Sequence, residues 1–238
     1  MLTDTKLNRL TKVIEQDPPA TLSRHSLSDE VYDALLTQLI TLKIAPGSRI
    51  AVDALVRELG VSQTPIRAAL IRLENEGLVV KTHNVGYSAS PRLTYQKFQH
   101  IYDMRLLLEP YTAAATAEHL SEATRIQLDS LASDMEASTR LDTRQAYGKF
   151  AILDAKFHAL IARESGNKLI EEALNRAYAH THLFRLTSYS GVTREGVIEH
   201  AQIINAIVAA DIKGAKNAME NHIVNSRERW KPYFDDEE

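Results

Sequence analysis

Four polar residues interrupt apolar helical stripes in the second half of this sequence, and their types are those that hold a metal ion. Asp154 and His158 stand four apart on one predicted helix, with Ala151 and Ile161 on the same face, so both side chains point into a core. His200 continues the stripe Val197, Ile204 and Ile207, and His222 the stripe Ile212, Ala215 and Met219. The two helices that carry them turn near Asp211, eleven residues from each histidine. In an antiparallel pair, equal distances from the turn put both imidazoles at one level. One carboxylate and three imidazoles can therefore converge, a set suited to Zn²⁺, Ni²⁺, Mn²⁺ or a related divalent ion.

A lone inward histidine is more often a satisfied core residue, and an Asp beside it a mere hydrogen-bond partner. Four at this spacing favour a metal, because an unpaired buried carboxylate costs on the order of several kcal/mol. His180 and His182, two apart, point to different sides of their helix and read as structural. His25, His83, His100 and His119 have no partner at ligand spacing and read as surface.

Arg105 follows Ile101 and precedes Leu108 on another apolar stripe, so its guanidinium is expected inside, where it needs an anion. Glu109, four residues on, is one such anion, and on the residues alone a salt bridge prevails. A small organic acid is the other, with Arg185 and Tyr189 as further candidates for the same pocket. Two alternatives stay open: a metal-dependent hydrolase and a pure metal sensor. A hydrolase needs a general base in reach. No HExxH pairing supplies one, and Glu199 and Glu220 sit beside ligands and are expected to point elsewhere.

The elements that must position these groups form an all-α domain. Thr94 can cap a helix to about His119, Ser121 one to about Ser138, and Asp142 one to about Ser165, ended by Gly166. Three more follow, about Lys168 to Ser188, Thr193 to Ala209 and Ile212 to Trp230. Each carries apolar residues at three-to-four spacing, as in a packed bundle. From Gln96 on there are 17 basic and 21 acidic residues, a net −4 that does not suit DNA.

The first half differs. Pro46-Gly47 forces a turn, Val52, Leu55, Val56 and Leu59 make a short apolar stripe, and Gly60 supplies the left-handed residue that ends it. Ser62 or Thr64 then caps a second helix, with Pro65 in its first turn. Ile66, Leu70 and Leu73 face inward, so Gln63, Thr64 and Arg67 face outward at the end a recognition helix sets against base edges. After Gly77, the runs Leu78 to Lys81 and Tyr87 to Ala89 flank a polar loop from Thr82 to Gly86, the expected wing. Helix pairs of this kind occur without DNA, but the charge argues for it. Lys43 to Arg92 holds seven basic residues and four acids, an excess of three positive charges in a chain whose net charge is −3. The candidate DNA contacts are Ser62, Gln63, Thr64, Pro65, Arg67 and Arg72, with His83, Asn84 and Gly86 in the wing.

The fold class expected is therefore mainly α: an N-terminal winged helix-turn-helix domain (26–90) with a small β-hairpin wing, a linker (91–96) and a C-terminal all-helical bundle (97–231). Residues 1–25, polar and containing Pro18-Pro19, read as a loose arm. With 44% hydrophobic and 25% charged residues the sequence reads as globular, and no apolar run reaches the length of about eighteen residues that a membrane span needs. The absence of cysteine excludes disulfides and zinc fingers and fits a reducing cytoplasm.

Residues 28 to 90 resemble the DNA-binding domain of the GntR family of bacterial transcription regulators. The carrying run is Val61-Ser62-Gln63-Thr64-Pro65-Ile66-Arg67-Ala68-Ala69-Leu70, followed by Arg72-Leu73-Glu74-Asn75-Glu76-Gly77-Leu78-Val79. Family members usually carry Arg where Gln63 stands. Arg pairs with guanine and Gln prefers adenine, so the operator differs at that base. Val85 stands where a basic wing residue is common. The second half resembles the FCD domain of the FadR-like branch, in a six-helix, VanR-type form. That likeness rests on Tyr102 to Pro110, Leu153-Asp154-Ala155-Lys156-Phe157-His158, Gly166-Asn167, Glu199-His200 and Met219 to His222. It implies that Asp154, His158, His200 and His222 are a metal site, that Arg105 holds a small organic or sugar acid, and that the bundle makes a homodimer. Two-fold symmetry then demands double-stranded DNA with an inverted-repeat operator.

Overall fold

A computed structural model describes residues 27–140, 143–177, 183–185 and 192–234. The arm over 1–25, Asp142, His180, His182 and Tyr189 lie outside the described residues.

The head is built from α1 (Leu27–Ile40), β1 (Arg49–Ile50), α2 (Val52–Leu59), α3 (Gln63–Asn75), β2 (Val79–Thr82) and β3 (Gly86–Ala89). Gly47, Gly60 and Gly77 take φ of +75°, +67° and +70° at three of the turns of the head. Ser62, not Thr64, is the N-cap of α3, by its extended backbone and without a side-chain bond. Ile66, Leu70 and Leu73 are fully buried against Leu35, Leu39 and Ile40 of α1. The wing is an antiparallel hairpin with Val80 opposite Ser88, and β1, which the sequence pattern does not reveal, adds a third strand in the order β1-β3-β2.

The bundle contains, among the described residues, α4 (Tyr95–Glu118), α5 (Glu122–Ser138), α6 (Arg144–Glu164), α7 (Lys168–Ala177), α8 (Val192–Val208) and α9 (Ile212–Trp230), then a 3₁₀ turn (Lys231–Phe234). Thr94 and Ser121 cap α4 and α5 as expected, accepting from the amides of Lys97 and Thr124. Thr143, not Asp142, caps α6 through the amide of Ala146. Asp211 accepts from Gly214 N at 2.8 Å and sets the tight α8–α9 turn. Phe98, Tyr102, Phe157, Ile161, Ile203, Met219 and Ile223 form the centre of the core.

Head and bundle are packed together. Gly148 of α6 lies where α1 crosses, and a Cβ there would stand 3.1 Å from Thr37 Cγ2 and 3.2 Å from Thr41 Cγ2. Arg185 provides a second link, donating from Nη2 to the carbonyl of Ser90 at 2.7 Å, just beyond β3. No helix among the described residues is long and apolar enough to cross a membrane.

Candidate metal centre and DNA-reading face

The predicted ligands converge. His158, His200 and His222 each offer a ring nitrogen, all within 4.8 Å of one another, and all three residues are buried. Asp154 Oδ1 lies 3.3 Å from His200 Nε2 and 3.9 Å from His158 Nε2. The ring centres of His200 and His222 are 4.7 Å apart, as the equal distances from the Asp211 turn require.

Two of the three imidazoles are held by carboxylates behind them. Glu109 Oε2 lies 2.6 Å from His158 Nδ1, and Glu199 Oε2 lies 2.8 Å from His222 Nδ1. The second is a hydrogen bond, which turns His222 Nε2 toward the shared space and fixes the tautomer that a metal ligand needs; the first is an ion-pair contact. Glu199 therefore faces a ligand, contrary to the expectation from its place beside the stripe. It is held by Arg229, whose Nη1 and Nη2 donate to it at 2.6 and 2.7 Å, and by Asn225. His222, Asn225 and Arg229 follow one another at helical spacing on α9, a signal legible in the sequence. Glu220 is exposed.

Burial opposes the charge on Glu199, but the hydrogen bonds from His222 and Arg229 prevail and hold its carboxyl down at about 2. Burial likewise pushes His222 down to about 4, against the pull of Glu199. At neutral pH that ring is uncharged and able to ligate. His200 is 1% exposed, and neither ring nitrogen has a hydrogen bond among the described residues. A buried imidazole in that state, facing a carboxylate and two more rings, is what a cation would complete. The residues fit a divalent metal.

Arg105 is buried, and its Nε donates to Glu109 Oε1 at 2.6 Å, so the expected i to i+4 pair forms. Its Nη2 has no hydrogen bond among the described residues. Arg105, Asp154 and His222 line a cavity of about 20 Å³, closed by Phe150, Phe184 and Trp230. That is room for one water. Arg185 is not among its lining residues. Instead it faces the head and bonds Ser90, with burial pushing its guanidinium down to about 10.

On the head, Gln63 Nε2 donates to Asp53 Oδ1 at 2.9 Å, and Arg67 Nη2 donates to Gln63 Oε1 at 3.2 Å. Ser62, Gln63, Thr64 and Arg67 are exposed at the N-terminal end of α3, and His83, Asn84 and Gly86 are exposed in the wing. Two candidates sit differently. Pro65 is buried and offers DNA no surface. Arg72 is exposed but lies at the junction of α1 and α3, over the Tyr32 ring at 3.7 Å and paired with Asp29 at 3.1 Å and Glu76 at 3.5 Å.

Two family models match separate stretches of the chain. Residues 27–88 match the bacterial regulatory proteins of the gntR family, and residues 100–225 match the FCD domain. An uncharacterized HTH-type transcriptional regulator, YdhC of Bacillus subtilis, is 26% identical over 204 residues, covering 85% of this chain and 90% of the relative. The Uxu operon transcriptional regulator of Escherichia coli is 26% identical over 225 residues, covering 84% and 85%. The solved structure of McbR/YncC from E. coli superposes with a TM-score of 0.68 at 19% identity, over 88% of this chain and 99% of that one. YdhC and the Uxu operon protein are transcription regulators, not enzymes, which removes the hydrolase alternative. The chain belongs to the gntR family of bacterial regulatory proteins, a transcriptional regulator with a helix-turn-helix head and an FCD domain.

Proposed function

We propose that this protein is a homodimeric, cytoplasmic regulator whose affinity for an inverted-repeat DNA operator is set by a small organic or sugar acid bound beside a divalent ion, Zn, Ni or Mn. The observation that carries this reading is His200, buried among Asp154, His158 and His222 with neither ring nitrogen hydrogen-bonded among the described residues. Asp154, His158, His200 and His222 would hold the ion, which when bound supplies a Lewis-acidic position for a carboxylate oxygen.

The chain's own residues do the rest. Arg105 Nη2 takes another oxygen of the acid, while Glu109 holds the guanidinium in place. Glu199 and Arg229 keep His222 oriented. Admission of an acid requires Phe184 or Trp230 to move, because the space beside Arg105 is about 20 Å³. Phe184 is adjacent to Arg185, and Arg185 holds Ser90 at the root of the wing. Movement at the pocket is thereby passed to the head. Exposed Leu107 and Tyr111, one turn apart on α4, supply an apolar surface for a second bundle. In the dimer, Gln63 and Arg67 exchange their mutual bond for base edges, and the wing residues His83, Asn84 and Gly86 lie along the backbone.

A second reading, in which the ion alone is the signal, is favoured by the same small cavity. One experiment separates the two. An operator is selected from random DNA, and its affinity is titrated with metal, then with a panel of organic acids. A five- to 150-fold change on adding an acid, typical of allosteric coupling, is expected only in metal-loaded protein. A response to metal with none to any acid supports the sensor, and no response to either overturns both.

A further inference from the structure

A second space, shared by the two domains, reaches the back of the metal centre at His158. A cavity of about 430 Å³ opens between α1 and α3 of the head and α4, α6 and α7 of the bundle, a volume in the range of small-molecule sites. Leu36, Ile152 and Leu174 give it apolar walls. Several of its charged groups are already matched. Tyr32 donates to Glu76 at 2.6 Å, Arg72 pairs with Glu76 and Asp29, and Glu109 on the floor is held by Arg105 and His158.

Two charges remain. Asp33 of α1 and Lys156 of α6 both line the cavity, and neither has a charged-group partner among the described residues. One comes from each domain, and no ion pair joins them. An anion alone would meet Asp33 and a cation alone would meet Lys156. A molecule carrying both charges and an apolar body satisfies all three features.

We propose that this cleft is a second ligand site, for a small zwitterion such as an apolar amino acid, whose ammonium pairs with Asp33 and carboxylate with Lys156 while its side chain packs on Leu36, Ile152 and Leu174. Such a ligand touches head and bundle at once, so its binding is linked to their relative position and hence to operator affinity. Its floor, Glu109 and His158, also connects it to the metal centre.

The test is calorimetric titration of the full-length, metal-loaded protein with the twenty L-amino acids, with 4-methylpentanoate and isoamylamine as analogues of leucine lacking one charge. Saturable binding is expected for at least one apolar amino acid, tenfold or more weaker for each analogue. Lys156→Met and Asp33→Asn, both surface changes that leave the core intact, should each weaken it tenfold or more. His200→Ala should retain it, which keeps this result separate from the metal reading. No saturable binding by any amino acid overturns the proposal, as does binding unchanged by both substitutions or abolished only by His200→Ala.

Discussion

Gln63 and Arg67 on the reading face are exposed and bonded to one another, whereas His200 is 1% exposed and enclosed by three other ligand-type side chains. Both regions use polar groups in pairs, but solvent makes the first exchangeable and burial makes the second committed. An exposed pair is worth little and can give up its bond when a base edge arrives. A buried group has no water to fall back on, so its neighbours must be correct in the folded state. Function follows the difference: the surface reads by swapping partners, and the interior senses because it cannot.

The largest expected effect lies in the interior. Arg105→Met leaves the buried Glu109 carboxylate without its guanidinium, and breaking a buried pair costs about 3–5 kcal/mol. Urea unfolding should show it in the bundle; a loss near zero would mean that Glu109 is not charged there and that burial does not commit this site.

His200→Ala comes next. It should lose the ion and, at free metal a thousand times the dissociation constant, about 4 kcal/mol of stability, measured by calorimetry with and without metal. This gap should close as pH falls, because protons compete for the imidazoles. Metal-free protein has its own pH dependence. The His222 pKa in the folded state is lowered to about 4, so the unfolded chain takes up its proton first, near its reference value of about 6.5. Its contribution is therefore complete above about 6.5 and is lost as pH falls toward 4. Unfolding of His222→Gln without metal should lack this slope; an unchanged slope would place the titrating group elsewhere.

On the exposed face the changes should be smaller and local. Arg67→Ala should weaken specific operator binding by about 1–3 kcal/mol while metal content and thermal stability of the bundle stay unchanged. Equal operator affinity in a gel shift would remove α3 as the reader. Gln63→Arg should only redirect preference, toward guanine at one base of each half-site. Selection returning the same site for both proteins would show that Gln63 does not read.

The same contrast explains what was legible in the sequence. Asp154, His158, His200 and His222 stand out because polar residues break apolar stripes, and the α8–α9 turn at Asp211 fixes their level. Glu199 does not stand out because it flanks the stripe, and only the packing of α9 brings His222 and Arg229 onto it. The place of Arg72 and Pro65 in the motif points both toward DNA. Helical spacing does not reveal that Arg72 lies over Tyr32 beside Glu76, nor that Pro65 is covered. The two-residue strand β1 is too short to leave a period. Arg185 and Ser90 meet across 95 positions of sequence, a contact that no local pattern encodes.

The most direct test is native mass spectrometry of untagged protein purified without chelators, beside His200→Ala prepared in the same way. One divalent ion per chain is expected in the unsubstituted protein and none in the variant, with both remaining dimers. Unsubstituted protein free of metal would contradict the central claim, and Asp154, His158, His200 and His222 would then be a buried polar network with Arg105 as the remaining anchor for an acid.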